Sequence, residues 1–104
     1  MVRHLVFFKM KPEALGESGL HNAMEMAKRF RTISAQIPGV HSVELGMNYN
    51  DEENFYEMAL NQVFDSRDAL AAYTADPRHL AVRDFVRQVI DHRIVVDYDM
   101  EEAI

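Results

Sequence analysis

Residues 2–10 read Val2-Arg3-His4-Leu5-Val6-Phe7-Phe8-Lys9-Met10, a short run rich in valine and phenylalanine that predicts a β-strand. Alternate side chains of a strand point to opposite faces, so Leu5 and Phe7 share one side. Val6 and Phe8 share the other side with His4 and Met10. Because both sides are largely apolar, and a strand with one face in water would alternate more strictly, we expect both faces of the sheet to be covered.

A long helix is predicted after this strand. Apolar residues recur at helical spacing from Leu20 to Ile37, and Pro38-Gly39 ends the pattern. Two N-terminal caps are compatible with the sequence: Ser18, or Asn22 acting with Glu25 as a capping box. The sequence leaves this choice open.

The second half of the chain predicts three more strands and a broken helical arm. Residues 40–49 and 55–64 alternate as strands, and Met58 and Leu60 share a side of the latter. Asp65 or Ser66 caps a short helix, and residues 94–98 form the last strand.

The helical arm is interrupted by the stretch Ala71-Ala72-Tyr73-Thr74-Ala75-Asp76-Pro77-Arg78-His79. Pro77 ends one helix, and Asp76 as cap with Pro77 at the first position starts the next. Tyr73 and His79 therefore lie on either side of a corner. The positive end of the new helix favours a neutral His79, whereas Asp76 opposes this if it approaches the ring. The two residues form either an acid/base pair or a packing contact at a capped helix.

The order strand, helix, strand, strand, helix, strand predicts an α+β, ferredoxin-like βαββαβ fold. Its four-stranded antiparallel sheet has helices on one face only. We expect Val6, Phe8, Met58 and Leu60 on the other face, where they form a large apolar patch. A twofold homodimer that closes a barrel covers such a patch, so we predict one.

Composition narrows the class of protein. The 104 residues are expected to form one domain, residues 1–104, and 48% hydrophobic with 27% charged residues is ordinary for a soluble globular protein. A net charge of −6 argues against a nucleic-acid partner. The chain has no cysteine, and its apolar N-terminal run is too short for a signal peptide or a membrane span. We therefore expect a cytoplasmic protein with no membrane partner.

Metal and cofactor motifs are weak in this sequence. No two histidines lie three or four residues apart, so we expect no transition-metal site and no cofactor. A binding site for a hard cation such as Mg²⁺ leaves little trace in a sequence, so the sequence leaves open whether one is present. His21, His41 and His92 have neighbours typical of loops or element ends, which predicts surface positions.

Four segments, taken in order, resemble the stress-responsive A/B barrel (Dabb) family of the dimeric α/β-barrel superfamily. Residues 3–11 resemble its first strand, with its His and Lys places filled. Residues 37–40 resemble its helix-to-strand turn, residues 64–79 its second helical arm, and residues 95–98 its last strand. The resemblance implies a homodimer with an apolar pocket for a small organic ligand, and most members of the family have no established activity.

Within that family, the resemblance extends to polyketide cyclases of the olivetolic acid cyclase type, which close a linear polyketide by aldol condensation. Their catalytic Tyr and His match Tyr73 and His79, and their first-strand His matches His4. The resemblance then implies that His79 takes a proton, Tyr73 binds the oxyanion and His4 orients a carbonyl. This chain departs from the pattern at Asp76, where a His is usual, and at Met58, where the cyclase has a polar residue.

The substrate of such an enzyme would lie against the apolar side chains of the expected barrel, which are Val6, Phe8, Met58 and Leu60. The alternative is a non-catalytic structural or stress-protective dimer in which the same residues serve folding and assembly. Whether the protein is an enzyme stays open at this point.

Overall fold

A computed structural model of the chain describes residues 1–52 and 55–101. Its elements, in chain order, are β1 (Val2–Met10), β2 (Glu13–Ala14), β3 (Glu17–Ser18), α1 (Gly19–Gln36), β4 (Val40–Met47), β5 (Met58–Phe64), α2 (Arg67–Ala75), α3 (Pro77–Val89) and β6 (Ile90–Asp99).

The main sheet has the strand order β4-β5-β1-β6, and each neighbouring pair is antiparallel. This confirms the ferredoxin-like α+β fold. Val6 on the central strand β1 lies opposite Leu60 on β5 and Val95 on β6. The expected strand at residues 55–64 starts later, at Met58, and the last strand is longer than expected because it begins at Ile90.

The start of each helix is set by a side-chain cap. The Ser18 hydroxyl accepts a hydrogen bond from the backbone N–H of His21 at 3.1 Å, so Ser18 caps α1. The alternative cap, Asn22, is buried and its amide donates to the carbonyl oxygen of Ala14 at 3.0 Å. Ser66 caps α2 in the same way, through the N–H of Ala69.

The predicted corner between the two helices of the second arm is confirmed. α2 ends at Ala75, and α3 begins with Pro77. The Asp76 carboxylate caps α3 by accepting from the N–H of Arg78 at 2.9 Å. Both oxygens of its side chain also accept from the Arg78 guanidinium, so the hydrogen bonds of the Asp76 carboxylate go to Arg78.

The hydrophobic core lies between the sheet and the helices, and here one prediction was wrong. The four residues expected on the uncovered face, Val6, Phe8, Met58 and Leu60, are at most 2% exposed and pack in this core. They lie on the helix-covered side because they share it with the buried Gln62 and Phe64, two and four residues beyond Leu60 on β5.

The uncovered face carries the other set of strand residues. Phe7, Ile94, Val96 and Tyr98 are 37–45% exposed, and Leu5 lies between them on β1, opposite Val96. This face is still apolar, so the inference that it needs a cover holds for a different group of residues. Within the parts of the chain that the structure describes, no helix combines the length and the apolar character needed to cross a membrane.

Candidate active site

Tyr73 and His79 meet on the helix-covered side of the sheet. Their ring centroids are 4.8 Å apart, because Tyr73 lies in the last turn of α2 and His79 lies in the first turn of α3, beyond the Asp76 corner. Both residues line a small cavity beneath the helices, together with His4 from β1. The predicted trio therefore comes together within a single chain.

His79 is held in one tautomer by the backbone. Its Nδ1 lies 3.1 Å from the carbonyl oxygen of Thr74, and since a carbonyl only accepts, Nδ1 carries the proton and donates it. Nε2 is then left with a lone pair. Burial lowers the pKa of His79 below its ordinary value, the Thr74 hydrogen bond partly opposes this, and the charges of Arg83 and other nearby cations lower the pKa further. A neutral His79 was predicted, but burial rather than the helix terminus is the main cause.

Tyr73 is buried, with its phenol in a small polar network. The Gln62 amide nitrogen donates to the Tyr73 hydroxyl at 3.0 Å and to the Ser34 hydroxyl at 2.9 Å. Burial raises the pKa of the Tyr73 phenol, outweighing the lowering effect of the Gln62 hydrogen bond. Tyr73 therefore stays protonated near neutral pH and acts as a donor. The other amide atom of Gln62, Oε1, has no hydrogen-bond partner in the described part of the chain.

His4 lies on the helix-covered face and not, as predicted, on the uncovered one. Its side chain is 12% exposed, and its Nδ1 forms a short hydrogen bond with the Asp97 carboxylate across the β1–β6 pair. A carboxylate accepts, so Nδ1 is the protonated nitrogen of His4. The small cavity lined by His4 and His79 is formed by a single subunit, so dimerisation is not needed to create it.

The space available at this site has two parts. The inner cavity measures about 30 Å³, which is the room of one water molecule. A wider groove of about 440 Å³ runs between α2 and the β1–β6 pair, and His4 lines both spaces. The groove has the size of sites that hold small organic molecules. Its lining residues are Val2, His4, Arg67, Leu70, Ala71, Thr74, Asp97, Tyr98 and Asp99.

A half-buried base, a protonated phenol and an oriented second imidazole around one cavity make up a candidate proton-transfer site. Comparison with known families identifies the kind of protein that carries it. The model of the Dabb family, described as the stress responsive A/B barrel domain, matches residues 2–100. The chain belongs to the Dabb family.

Solved structures with the same fold agree with this assignment. A dimeric protein of unknown function with a ferredoxin-like fold from Bacteroides fragilis is 26% identical, with 95% of each chain covered and a TM-score of 0.82. A Dabb family protein from Mesorhizobium loti is 22% identical, with 97% of each chain covered and a TM-score of 0.76. The hydroxynitrile lyase of Passiflora edulis is 16% identical, with coverage of 99% of this chain and 95% of that one and a TM-score of 0.82. The latter two show the fold alone. Comparison with curated proteins gives no match.

The residues expected to contact a substrate in this Dabb protein divide into two groups. Val6, Phe8 and Leu60 line the inner cavity beside His79. Met58 does not line it and instead borders a separate depression near Phe7. The lining of the inner cavity is completed by Phe30, Val86 and the polar residues described above, with Arg83 and Arg93.

Sequence reasoning missed Gln62, Ser34, Asp97, Arg83 and Arg93. One signal for Gln62 was present, since it is the polar member of the side that carries Met58, Leu60 and Phe64. Among the described residues of this Dabb protein there is no group of three His, Asp or Glu side chains placed to hold a metal ion.

The remaining histidines lie apart from the candidate site. His21, His41 and His92 are exposed, as predicted. His92 also makes one contact that the sequence did not suggest, a 2.7 Å hydrogen bond between its Nδ1 and the Tyr56 hydroxyl.

Proposed function

We propose that this Dabb protein is a homodimer that binds a small organic carbonyl compound and transfers a proton at the carbon beside the carbonyl. The observation that carries this proposal is the hydrogen bond from His79 Nδ1–H to the Thr74 carbonyl, which leaves Nε2 as an unprotonated base inside a partly buried site. A neutral imidazole at this position is the general base that such chemistry needs.

The proton transfer follows from the two facing rings. His79 Nε2 takes the proton from the C–H group, and the electron pair of that bond moves to the carbonyl oxygen. The Tyr73 hydroxyl accepts from Gln62, so its own proton is available to the developing oxyanion. The enolate is reprotonated by His79, or its carbon attacks a second carbonyl of the same molecule. In the second case a carbon–carbon bond forms, the π bond of that carbonyl breaks, and the resulting alkoxide takes the proton from His79, as in a polyketide cyclase.

His4 acts as the positioning group in this proposal. Because Asp97 binds Nδ1 of His4, the orientation of the ring is fixed, and His4 lines both the groove and the cavity. The other ring nitrogen, Nε2, is available for a hydrogen bond with a substrate or with a water molecule that bridges to a carbonyl.

Binding of an organic molecule requires the inner cavity to widen, because its volume of about 30 Å³ admits only a water molecule. Helix α2 is the element most suited to move. Tyr73 is its only fully buried residue in the described structure, and α2 also forms one wall of the groove. A small outward shift of α2 would join the two spaces at His4.

The homodimer is supported by the apolar uncovered face of the sheet, which includes Phe7, Ile94 and Val96. Similar proteins from Bacteroides fragilis, Thermobifida fusca and Jannaschia are described as dimeric. A hydroxynitrile lyase also shares the fold, which supports an enzymatic role for this architecture. A single domain over residues 1–104 and a cytoplasmic location stay predictions of the sequence.

The second candidate function is a non-catalytic dimer in which the Tyr73 network serves stability. The observation that favours it is the small volume of the inner cavity. Proton exchange separates the two candidates. Acetylacetone is incubated in D₂O with the protein, and exchange of its central methylene is followed by ¹H NMR.

The proposal predicts exchange faster than in buffer alone, lost in His79→Gln and strongly reduced in Tyr73→Phe. His21→Gln is the matched control, since His21 is exposed on α1 outside the site. Exchange at the buffer rate, or exchange that neither site variant slows, would leave the non-catalytic dimer as the function.

A further inference from the structure

Two arginine side chains reach the same cavity from different elements. Arg83 lies one helical turn after His79 on α3, so the two side chains share a face of the helix. Arg93 lies on β6 opposite Phe8, and both arginines line the inner cavity with His79 and Tyr73. The wall of the cavity therefore includes two arginines that the proton transfer does not use.

Neither arginine has a close carboxylate partner in the described part of the chain, and both side chains are partly exposed to solvent. Arg83 Nε is buried and has no hydrogen-bond partner, and its nearest carboxylate contact is a loose 3.9 Å approach of Nη2 to its neighbour Asp84. No carboxylate oxygen of the described residues lies within 4.0 Å of the Arg93 guanidinium. By contrast, Arg67 and Arg78 each bind an aspartate closely, through Nε–oxygen distances of 2.9 Å. A buried guanidinium N–H without an acceptor is unfavourable unless a ligand supplies one.

The cavity is cationic although the chain as a whole carries a net charge of −6. Two arginines supply this positive charge, since His79 is neutral, and no Asp or Glu is among the described residues that form the wall of the cavity. Asp97 is the nearest acid to this group, and it is bound to His4. Burial is the main cause of the lowered pKa of His79, and the charges of Arg83 and Arg93 lower it further.

From this geometry we infer that the ligand is an anion, a carbonyl compound that carries a carboxylate beside its reactive carbon, and that Arg83 and Arg93 bind the carboxylate. The inference deepens the proposed function and rests on the same site. A guanidinium presents paired N–H donors that match a carboxylate, so Arg83 Nε gains its missing acceptor. With the carboxylate held there, the neighbouring carbon lies near His79 on the same helix face, and the cations also stabilise the enolate.

The test compares two small probes, acetoacetate and acetylacetone. Both have a methylene between two carbonyl groups, but only acetoacetate is charged. Dissociation constants are measured by NMR titration of ¹⁵N-labelled protein. We expect acetoacetate to bind more tightly than acetylacetone. Arg83→Gln and Arg93→Gln should each weaken acetoacetate binding about 10- to 100-fold, as for loss of a charge-assisted hydrogen bond, with a much smaller effect on acetylacetone.

Arg87→Gln is the matched control. It makes the same charge change one turn further along α3, at an exposed residue that does not line the cavity, and it should leave both dissociation constants unchanged. Thermal unfolding of each variant checks that it folds, and two independent arginine variants keep the test valid if one does not. Acetoacetate binding that is unaffected by both variants, or an equal loss for both probes, would overturn the inference.

Binding and exchange also separate this inference from the proposed function. Arginine-dependent binding of acetoacetate without exchange of either probe supports the anion site and contradicts proton transfer. Exchange of acetylacetone with acetoacetate binding that does not depend on the arginines supports proton transfer and contradicts the anion site.

Discussion

Thr74 and His79 are joined across the corner between α2 and α3, where the Nδ1–H group of His79 donates to the Thr74 carbonyl oxygen at 3.1 Å. In many acid/base sites a carboxylate orients the histidine, and a carboxylate also makes it more basic. Here a backbone carbonyl orients the ring, so the tautomer is fixed with a weaker increase in basicity. This fits a histidine that is neutral at physiological pH.

The pH dependence of the reaction follows from the lowered pKa of His79. Burial is the main cause, and the ordinary value is 6.5. We expect the exchange rate to be constant above pH 6.5 and to fall as the pH drops through the lower pKa of folded His79. NMR titration of the ring protons, assigned with His79→Gln, measures that pKa directly. A value at or above 6.5 would contradict the buried neutral base.

The same shift predicts how stability changes with pH. Between the two pKa values the unfolded chain binds more protons than the folded one, so protonation favours unfolding. The contribution of His79 to stability is complete above pH 6.5 and is lost as the pH falls through the folded pKa. Denaturant titrations from pH 8 to 5 should show a smaller decline in His79→Gln than in the wild type.

Substitutions of Tyr73 separate its packing from its hydroxyl. Tyr73→Phe keeps the ring against Phe64, whose centroid is 5.0 Å away, but removes the acceptor of the Gln62 amide. We expect a loss of about 1 kcal/mol in the free energy of unfolding and a fall in exchange rate of about 100-fold. Tyr73→Ala should cost about 3–5 kcal/mol, because it leaves a cavity in the core.

The control for the hydroxyl effect is Tyr49→Phe. Tyr49 is 93% exposed, so this change should affect neither stability nor exchange. Urea denaturation and the acetylacetone assay give the two readouts. If Tyr73→Phe were as active as the wild type, the phenol would not be the donor to the oxyanion.

The uncovered face of the sheet predicts where a charge abolishes the dimer. Val96→Glu places a carboxylate among exposed apolar residues of this face, which include Phe7 and Ile94. Size-exclusion chromatography with light scattering should show twice the chain mass of 12.0 kDa for the wild type and the single-chain mass for the variant. Met24→Glu, an equally drastic change at an exposed residue of α1, should leave the dimer intact. A wild-type protein that is monomeric at micromolar concentration contradicts the barrel.

Gly39 connects α1 to β4 and also touches the helix that carries Tyr73. Its φ is +90°, and a Cβ at this position would lie 2.8 Å from the Cβ of Ala69 on α2. Gly39→Ala should therefore destabilise the protein by about 1–2 kcal/mol from backbone strain, with a further loss from the clash. Gly46→Ala is the control, since a Cβ there meets nothing within 4 Å and φ is not positive. Thermal unfolding of both variants checks the difference.

Local signals in the sequence were sufficient for the order of the elements. Pro38-Gly39 and Asp76-Pro77 mark breaks that depend on the backbone properties of these residues, and both appear where expected. The assignment of the sheet faces failed for a physical reason. Alternation shows which side chains share a face, but not which face the helices cover, and β1 is apolar on both sides.

In the candidate site, too, the sequence predicted contacts between residues close in the chain but not contacts that depend on how the elements pack. Tyr73 and His79 are six residues apart, so a capped corner was enough to predict that they meet. Asp97 lies 93 residues from its partner His4, and only the register of β1 with β6 brings them together. The Gln62 amide reaches Ser34 and Tyr73 from a third element, a contact that depends on how α1 and α2 pack on the sheet.

Gln62 connects three elements at a single point, because its amide extends from β5 to Ser34 on α1 and to Tyr73 on α2. We expect a ligand larger than a water molecule to enter when these hydrogen bonds break, which would expose Tyr73, the buried residue of α2. We therefore expect ligand uptake to be coupled to an outward shift of α2. Substitutions that strengthen these hydrogen bonds would raise the unfolding temperature and slow ligand binding. Motion of α2 would then limit the rate at which the site is occupied.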